Sequence, residues 1–221
     1  MEKTIDYKKI YNFQDFILKI IFSFDNSFFL SGGTALHRFY YNLRYSSDLD
    51  LFTNDDKLFN EYIKEILIYF LENNIYFDHI VKTRDFSRIL IEQKLQVDFV
   101  NDRTYRYGKS NLINNNIRVD NVYNILSNKI TAIIDRDEEK DIFDLFSIAT
   151  HERFNWQDIL KICNKKANIE NDFFIHRLKT FPLEWLENII LIKPLKIDSE
   201  MILRMCNDII EEADNSLFTD I

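Results

Sequence analysis

A pair of adjacent glycines after an apolar run restricts the fold of this chain more than any other feature. The chain has 221 residues and only three glycines, two of which are Gly32 and Gly33. The preceding residues 28–30, Phe-Phe-Leu, indicate the end of a buried strand. Glycine lets the backbone turn sharply and approach a ligand closely. We therefore expect a strand, a tight corner and a helix over about residues 34–43, with Thr34 as its N-cap. The start of such a helix favours a phosphate.

Two aspartates follow this helix. Asp48 and Asp50 lie in a predicted strand over residues 48–53, where side chains two apart face the same side. Neighbouring carboxylates repel each other unless a cation lies between them. Mg²⁺ is typically held by one or two carboxylates together with substrate phosphates. An Asp-Leu-Asp sequence alone is common on solvated edge strands, but beside a phosphate corner it indicates phosphoryl or nucleotidyl transfer.

A third aspartate lies in an apolar run. Asp98 is part of Leu-Gln-Val-Asp-Phe-Val, residues 95–100, the last of two or three strands predicted from residue 75 onward. We expect the turn before this strand to be tight and centred near Lys94. A carboxylate is costly to bury without a partner. Two interpretations remain open: Asp98 and Gln96 mark a solvent-facing side, or Asp98 joins the first two carboxylates at a metal.

The order of these motifs resembles a known family. Gly-Gly-Thr-Ala-Leu followed by Arg-x-Ser-x-Asp-Leu-Asp-Leu-Phe is similar to the nucleotidyltransferases of the DNA polymerase β superfamily. Within it the sequence most resembles the AbiEii/AbiGii toxin-type nucleotidyltransferases of toxin–antitoxin and phage-defence systems, over about residues 28–150. The resemblance implies an α+β nucleotidyltransferase fold, with a mixed β-sheet flanked by helices and a C-terminal helical bundle. We expect a catalytic core over residues 1–120 and a helical domain over residues 121–221.

The resemblance extends to a late block of charged residues. Lys129 with Ala132, followed by Lys140-Asp141-x-x-Asp144-Leu, is similar to a Lys-x-x-Ala helix that precedes an Arg-Asp-x-x-Asp-Leu helix, with Lys140 in place of the usual arginine. It implies that Lys129 holds the triphosphate and that Asp141 or Asp144 orients Lys129, Arg136 or the acceptor. The superfamily's third acidic residue favours Asp98 as a metal ligand.

Arg44 and His37 lie between the glycine corner and the aspartates in sequence. Arg44 precedes the aspartates, and we expect it to pair with one of them or to hold a phosphate. His37, on the helix after the corner, is expected to be a surface or core residue.

The expected site residues form two groups, catalytic and nucleotide-binding. The expected catalytic residues are Asp48, Asp50, Asp98, Lys129 and Asp144, with the first three as metal ligands. The expected nucleotide-binding residues are Gly32, Gly33, Thr34, Arg44, Ser46, Arg136 and Asp141.

These motifs predict an enzyme that uses Mg²⁺ or Mn²⁺ and an NTP. An acceptor hydroxyl would attack the α-phosphate, and pyrophosphate would leave. The resemblance implies an RNA acceptor, plausibly the tRNA 3′ end, and a toxin with a separate antitoxin protein. Two alternatives stay open: transfer to a protein or a small molecule, and a catalytically silent module that binds nucleotides.

The net charge limits the ways in which this chain can bind nucleic acid. The formal net charge is −8, which argues against non-specific coating of nucleic acid but allows a local basic groove. Residues 101–121 are expected to be irregular, and they place Tyr105 and Tyr107 among basic residues. This mixture suits a nucleotide or a single-stranded RNA end, and an ordinary exposed loop is an equal alternative. The basic residues are Arg103, Arg106, Lys109 and Arg118.

Composition also indicates a compartment. Cys163 and Cys206 are too few for a disulfide framework and match no zinc spacing, which suits a reducing cytosol. The first residues show no signal-peptide pattern. The apolar run over residues 16–30 contains Lys19 and Asp25 and is therefore not expected to span a membrane. We expect a cytoplasmic protein.

Overall fold

A computed structural model describes residues 6–54, 57–113 and 116–219. The strands are β1 (Phe29–Ser31), β2 (Leu49–Thr53), β3 (Phe77–Lys82), β4 (Phe86–Ile91), β5 (Leu95–Asn101), β6 (Asn111–Ile113) and β7 (Ile117–Val119). The helices are α1 (Tyr7–Ile21), α2 (Gly32–Phe39), α3 (Phe59–Glu72), α4 (Val122–Asp135), α5 (Glu139–His151), α6 (Trp156–Asn164), α7 (Asn171–Thr180) and α8 (Ser199–Ile210), with a 3-10 helix over Leu183–Asn188.

The strands form one seven-stranded sheet in the order β3-β4-β5-β2-β1-β7-β6. Strands β2 and β5 run parallel, as do β1 and β7, while the other neighbours are antiparallel. The mixed sheet and the helical C-terminal part confirm the predicted α+β class. In the described part of the chain, no helix is both long enough and apolar enough to cross a membrane.

The first of two compact units contains residues 1–35, 46–103 and 109–120, and so it holds the whole sheet. Its core contains an aromatic cluster around Phe28. The ring of Phe28 lies 6.1 Å from Phe59, 5.8 Å from Tyr62 and 5.2 Å from Phe99, measured between centroids. Burying each such ring contributes about 2 kcal/mol. The cluster joins the residue just before β1 to β5, and these are the strands on either side of the strand that carries Asp50.

The second unit contains residues 36–45, 104–108 and 121–221. Asn121 caps α4, since its side-chain oxygen accepts a hydrogen bond from the backbone N–H of Asn124 over 2.9 Å. Trp156 is fully buried, with its ring 5.1 Å from Phe154 and 6.4 Å from Phe174. The chain enters this unit three times, within α2, at residue 104 and at residue 121, so neither unit is one continuous stretch of sequence. The predicted domain division at residue 120 stays a prediction.

The helix after the glycine corner differs from the predicted one. It spans Gly32–Phe39 instead of residues 34–43. Asn42 adopts a positive φ of 55°, and the chain then pairs with a distant segment. Leu43 O accepts a hydrogen bond from Ile192 N over 2.8 Å, and Tyr45 N donates to Ile190 O over 3.0 Å. Because this pairing needs an extended backbone, the helix ends early.

Two further expectations about strands and turns were wrong in detail. The turn between β4 and β5 has Glu92 and Gln93 at positive φ, so its centre lies before Lys94. This register places Arg88 opposite Asp98. The segment after residue 101 was expected to be irregular, but it contains the hairpin of β6 and β7. Residues 114 and 115 of that segment lie outside the described residues.

Candidate active site

The glycine corner joins β1 to α2. Gly32 has a φ of +68°, a conformation that costs other residues free energy. A Cβ built on Gly32 would overlap the Oδ2 atom of Asp50. The carboxylate of Asp50 therefore lies directly against the backbone of this corner, and only glycine leaves room for it. Gly33 follows within the first turn of α2.

Thr34 holds the segment that leads into β2. It lies inside α2, so the prediction that it caps the helix was wrong. Its Oγ1 lies 2.7 Å from Ser46 Oγ and donates to the main-chain oxygen of Asp48 over 2.5 Å. Ser46 is also fixed from α1, since its main-chain oxygen accepts a hydrogen bond from Gln14 over 3.2 Å. Thr34 and Ser46 thus set the position of Asp48.

Asp50 and Asp98 occupy paired positions on the parallel strands β2 and β5, so their side chains share one face of the sheet. On the other side of β5, Arg88 of β4 is paired with Asp98. Arg88 donates to both carboxylate oxygens of Asp98, over 2.8 and 2.6 Å. This hydrogen-bonded pairing raises the pKa of Arg88, with further contributions from the charges of Asp50 and Asp48. One guanidinium therefore lies in the field of all three carboxylates.

The donor set of this acidic site suits a hard divalent cation. Asp48 and Asp50 are both half-buried, and carboxylate oxygens are the ligands that Mg²⁺ prefers. Across residues 6–54, 57–113 and 116–219, no three His, Cys, Asp or Glu side chains form a group that would hold a metal. In this conformation Asp98 does not join the other two predicted ligands, because Arg88 binds both of its oxygens. The residues fit a cation held by Asp48 and Asp50.

A second group of charged residues lies in the helical unit around Asp144 of α5. This side chain is completely buried. Arg44 donates to it from Nε over 2.7 Å and from Nη2 over 2.8 Å. Lys129 Nζ lies 2.6 Å from Oδ2, and His37 Nε2 lies 2.8 Å from Oδ1. Burial alone would raise the pKa of Asp144, but Arg44 and Lys129 outweigh it and hold this pKa well below its usual range.

Lys129 of α4 bridges the two aspartates of α5. Its Nζ lies 2.7 Å from Asp141 Oδ1, and Arg136 donates to Asp141 Oδ2 over 2.8 Å. Burial alone would lower the pKa of Lys129, but attraction to Asp144 and Asp141 outweighs it, and the pKa is raised. Burial would likewise raise the pKa of Asp141, which Lys129 and Arg136 lower. Lys129 is therefore a fixed cation, held by both aspartates expected to orient it.

This ion-pair network brings several positive charges together. Burial lowers the pKa of His37, which favours the neutral ring despite the opposing effect of Asp144. Arg44, Lys129 and Arg136 each pair with Asp141 or Asp144. The side chain of Arg136 is 59% exposed, so its charge lies partly in solvent. Such a network suits an anionic ligand.

Comparison with known proteins identifies the family. Residues 17–216 match the family described as Nucleotidyl transferase AbiEii toxin, Type IV TA system. The chain belongs to the AbiEii family of nucleotidyl transferase toxins. The resemblance predicted from the corner and the carboxylates is thereby confirmed, and the AbiEii protein is a nucleotidyltransferase.

Two solved structures share the fold of this AbiEii protein. MenT4, a nucleotidyltransferase toxin from Mycobacterium tuberculosis, has a TM-score of 0.61 with 14% identity, covering 92% of this chain and 82% of its own. JHP933 from Helicobacter pylori has a TM-score of 0.53 with 19% identity, covering 84% of this chain and 78% of its own. At these identities the likeness shows the fold alone. No curated protein matched the sequence.

Three residues of this AbiEii protein have partners that the sequence did not predict. Arg44 was expected to pair with Asp48 or Asp50 or to hold a phosphate, but it is 2% exposed and binds Asp144. His37 was expected to be a surface or core residue. It is buried in the core, and it also forms a hydrogen bond with Asp144. Arg88 was not singled out. Arg88 lies in the strand that precedes the strand of Asp98. Because these two strands form a hairpin, this position in the sequence could have indicated the pair.

Proposed function

We propose that this AbiEii-family protein transfers a nucleoside monophosphate from an NTP to a hydroxyl of RNA, with the tRNA 3′ end as the favoured acceptor. The observation that carries the proposal is the contact between the Asp50 carboxylate and the Gly32 backbone. The helix start at this corner suits a phosphate. A phosphate and a carboxylate share such a corner stably when a cation lies between them.

Asp48 and Asp50 would hold the divalent cation, Mg²⁺ or Mn²⁺, and Asp98 would complete the ligand set once Arg88 releases it. When bound, the cation would neutralise charge on the triphosphate and lower the pKa of the acceptor hydroxyl. Thr34 supports this arrangement, since it fixes the main chain at Asp48 before substrate arrives. Preorganised ligands of this kind lower the cost of reaching the transition state.

The transfer replaces the phosphoanhydride bond between the α- and β-phosphates by a phosphodiester bond to the acceptor. The acceptor oxygen forms a bond to the α-phosphorus, the bond between the α-phosphorus and the bridging oxygen breaks, and pyrophosphate leaves. The hydroxyl proton passes to a carboxylate of the acidic site. The backbone of Gly32 and Gly33 would hold the phosphates by its N–H groups, which are unpaired in the first turn of any α-helix.

The buried ion-pair network would bind the leaving group. We propose that Lys129 contacts the β- and γ-phosphates of the NTP, with Asp141 and Asp144 orienting it. One observation supports this role: Lys129 has a fixed position between two carboxylates. Arg136 is exposed and suits a direct contact with the triphosphate. Arg44 is assigned to holding Asp144.

The test offers each of the four NTPs, labelled at the α-phosphate, to the protein with Mg²⁺ or Mn²⁺ and a cell extract. The expected result is label in the RNA fraction, which ribonuclease removes. Label in the protein or small-molecule fraction would show that the acceptor is a protein or a small molecule instead of RNA. Metal-dependent nucleotide binding without label in any fraction would indicate a catalytically silent module and contradict the proposal.

The cellular setting follows from the family. A type IV toxin has a partner antitoxin, and we propose a separate antitoxin protein and a role in phage defence. We also propose action in the cytoplasm. Cys163 and Cys206 are both free and buried, and burial raises the pKa of the Cys163 thiol to about 12. Unreactive free thiols suit a reducing compartment.

A further inference from the structure

Two exposed tyrosines lie two residues apart in the sequence of the helical unit. Tyr105 is 37% exposed and Tyr107 is 38% exposed, in a segment without regular secondary structure. Large aromatic side chains gain from burial, and this unit has a core in which others are buried. Two exposed rings two residues apart are therefore candidates for contact with a ligand.

The segment is anchored by hydrogen bonds although it is exposed. Tyr107 N donates to Asn124 Oδ1 over 3.0 Å, and Tyr107 O accepts from Asn121 Nδ2 over 2.7 Å. Asn121 is also the N-cap of α4. Gly108 follows with a φ of +68°, and a Cβ there would lie only 3.0 Å from Asn121 Nδ2. A segment fixed in this way loses little entropy when a ligand binds.

A lysine supplies the charge. Lys165 Nζ lies 4.9 Å from the centroid of the Tyr105 ring, within the range of a cation–π contact. Among the residues that the structure describes, no carboxylate pairs with Lys165, so its charge is left for a ligand. The next residue, Lys166, is anchored to α4 through Asn124 Oδ1 over 2.8 Å. The sequence had left open whether this region is an ordinary solvated loop, and these contacts favour a binding surface.

We propose that Tyr105, Tyr107 and Lys165 form a surface that binds the unpaired end of the RNA acceptor. A tyrosine ring stacks on any unpaired base, and a lysine binds the phosphates between bases. In a duplex the base faces are already stacked, so a duplex offers this surface only its phosphates. The inference rests on the proposed function, because it names where that function's acceptor is bound. An acidic protein segment would use Lys165 but would have no flat ring for either tyrosine.

The test measures binding of a fluorescent single-stranded RNA of roughly 12 nucleotides by anisotropy. We expect Tyr105→Ala and Tyr107→Ala each to raise the Kd for this RNA about tenfold, while Tyr105→Phe keeps wild-type affinity. Lys165→Ala should weaken binding and reduce the slope of log K against log salt by about 0.7. Tyr76→Ala and Lys196→Ala are matched controls, since Tyr76 is 56% exposed and the Lys196 side chain is 87% exposed.

Three results would contradict the proposed surface. The first is that the wild-type protein does not bind this RNA, and the second is that the tyrosine variants bind it within twofold of wild type. The third is that an acidic peptide displaces the labelled RNA as well as unlabelled RNA does. A fluorescent NTP analogue separates this surface from the nucleotide site, and its affinity should not change in the variants. An equal loss of NTP affinity would also contradict the inference. If the wild-type protein labels RNA while the variants bind RNA normally, this inference fails and the proposed function stands.

Discussion

Arg88 and Asp98 form a two-bond ion pair across β4 and β5, with Nε to Oδ1 at 2.8 Å and Nη2 to Oδ2 at 2.6 Å. Asp98 is 6% exposed, and this pair supplies a hydrogen bond to each of its oxygens inside the protein. Asp50 is the neighbour of Asp98 on β2. Arg88 thus brings to the acidic site the positive charge that a divalent cation would also bring.

Arg88→Gln should strengthen divalent binding several-fold. Without the guanidinium, Asp98 becomes available to a cation beside Asp50. The free energy of unfolding without metal should fall by about 1–2 kcal/mol, because a mostly buried carboxylate loses its partner. Titration with Mn²⁺ followed by electron paramagnetic resonance measures the affinity. Arg103→Gln is the control, since it breaks the more exposed pair between Arg103 and Asp85. Unchanged or weaker Mn²⁺ binding in Arg88→Gln would contradict this view of Arg88.

Gly32→Ala should damage both the backbone and the metal site. The new methyl group meets the Asp50 carboxylate at a φ that alanine disfavours, so we expect about 1–3 kcal/mol of destabilisation and weaker Mn²⁺ binding. Gly108→Ala is a matched control, because Gly108 has the same φ of +68° and its Cβ would meet Asn121 instead. Urea unfolding and Mn²⁺ titration check both effects. Equal losses of Mn²⁺ affinity in the two variants would indicate a general effect of strain.

Lys129→Ala should lower kcat/KM for the NTP at least tenfold, because a fixed cation at the leaving pyrophosphate is lost. Lys129→Arg should rescue only part of the activity, since the planar guanidinium has a different reach. Lys196→Ala, which removes an exposed lysine, is the control. Steady-state kinetics at varied NTP concentration give the result. If kcat and KM are both unchanged in Lys129→Ala, the late block has only a structural role.

His37 should make stability depend on pH near neutrality. Burial lowers its folded-state pKa below 6.5, so below pH 6.5 the unfolded state binds more protons than the folded state. The contribution of His37 to stability is therefore present above pH 6.5 and is lost as the pH falls. His37→Gln should flatten the decrease between pH 7.5 and about 5.5. Urea unfolding at several pH values measures it, and identical slopes in both proteins would show that His37 does not titrate in this way.

The sequence predicted those parts of the site that depend on local pattern. The corner at Gly32 and the alternation through Asp50 follow from spacing of one or two residues, and the strand pairing places Asp50 and Asp98 on one face. The turn centre could not be placed from Lys94, because Glu92 and Gln93 both adopt positive φ without being glycine or asparagine.

The partners of the buried charges depend on long-range folding. Arg44 lies four residues before Asp48 in sequence but pairs with Asp144, which is 100 residues away. No local pattern distinguishes these two carboxylates. The end of α2 is likewise set by hydrogen bonds to residues 190–192. His37 carried no signal of its own, because a histidine on an amphipathic helix fits many environments.

Asp48 and Asp50 are proposed to support transfer of a nucleoside monophosphate. Parallel reactions with an NTP labelled at the α- or the γ-phosphate distinguish this transfer from transfer of the terminal phosphate. We predict that α-label enters RNA, that γ-label leaves as pyrophosphate, and that Asp48→Ala and Asp50→Ala abolish both. Without metal, both variants should be at least as stable as wild type, because one of two like charges is gone. Gamma-label in the acceptor, or wild-type transfer by either variant, would show that these two aspartates do not support nucleotidyl transfer.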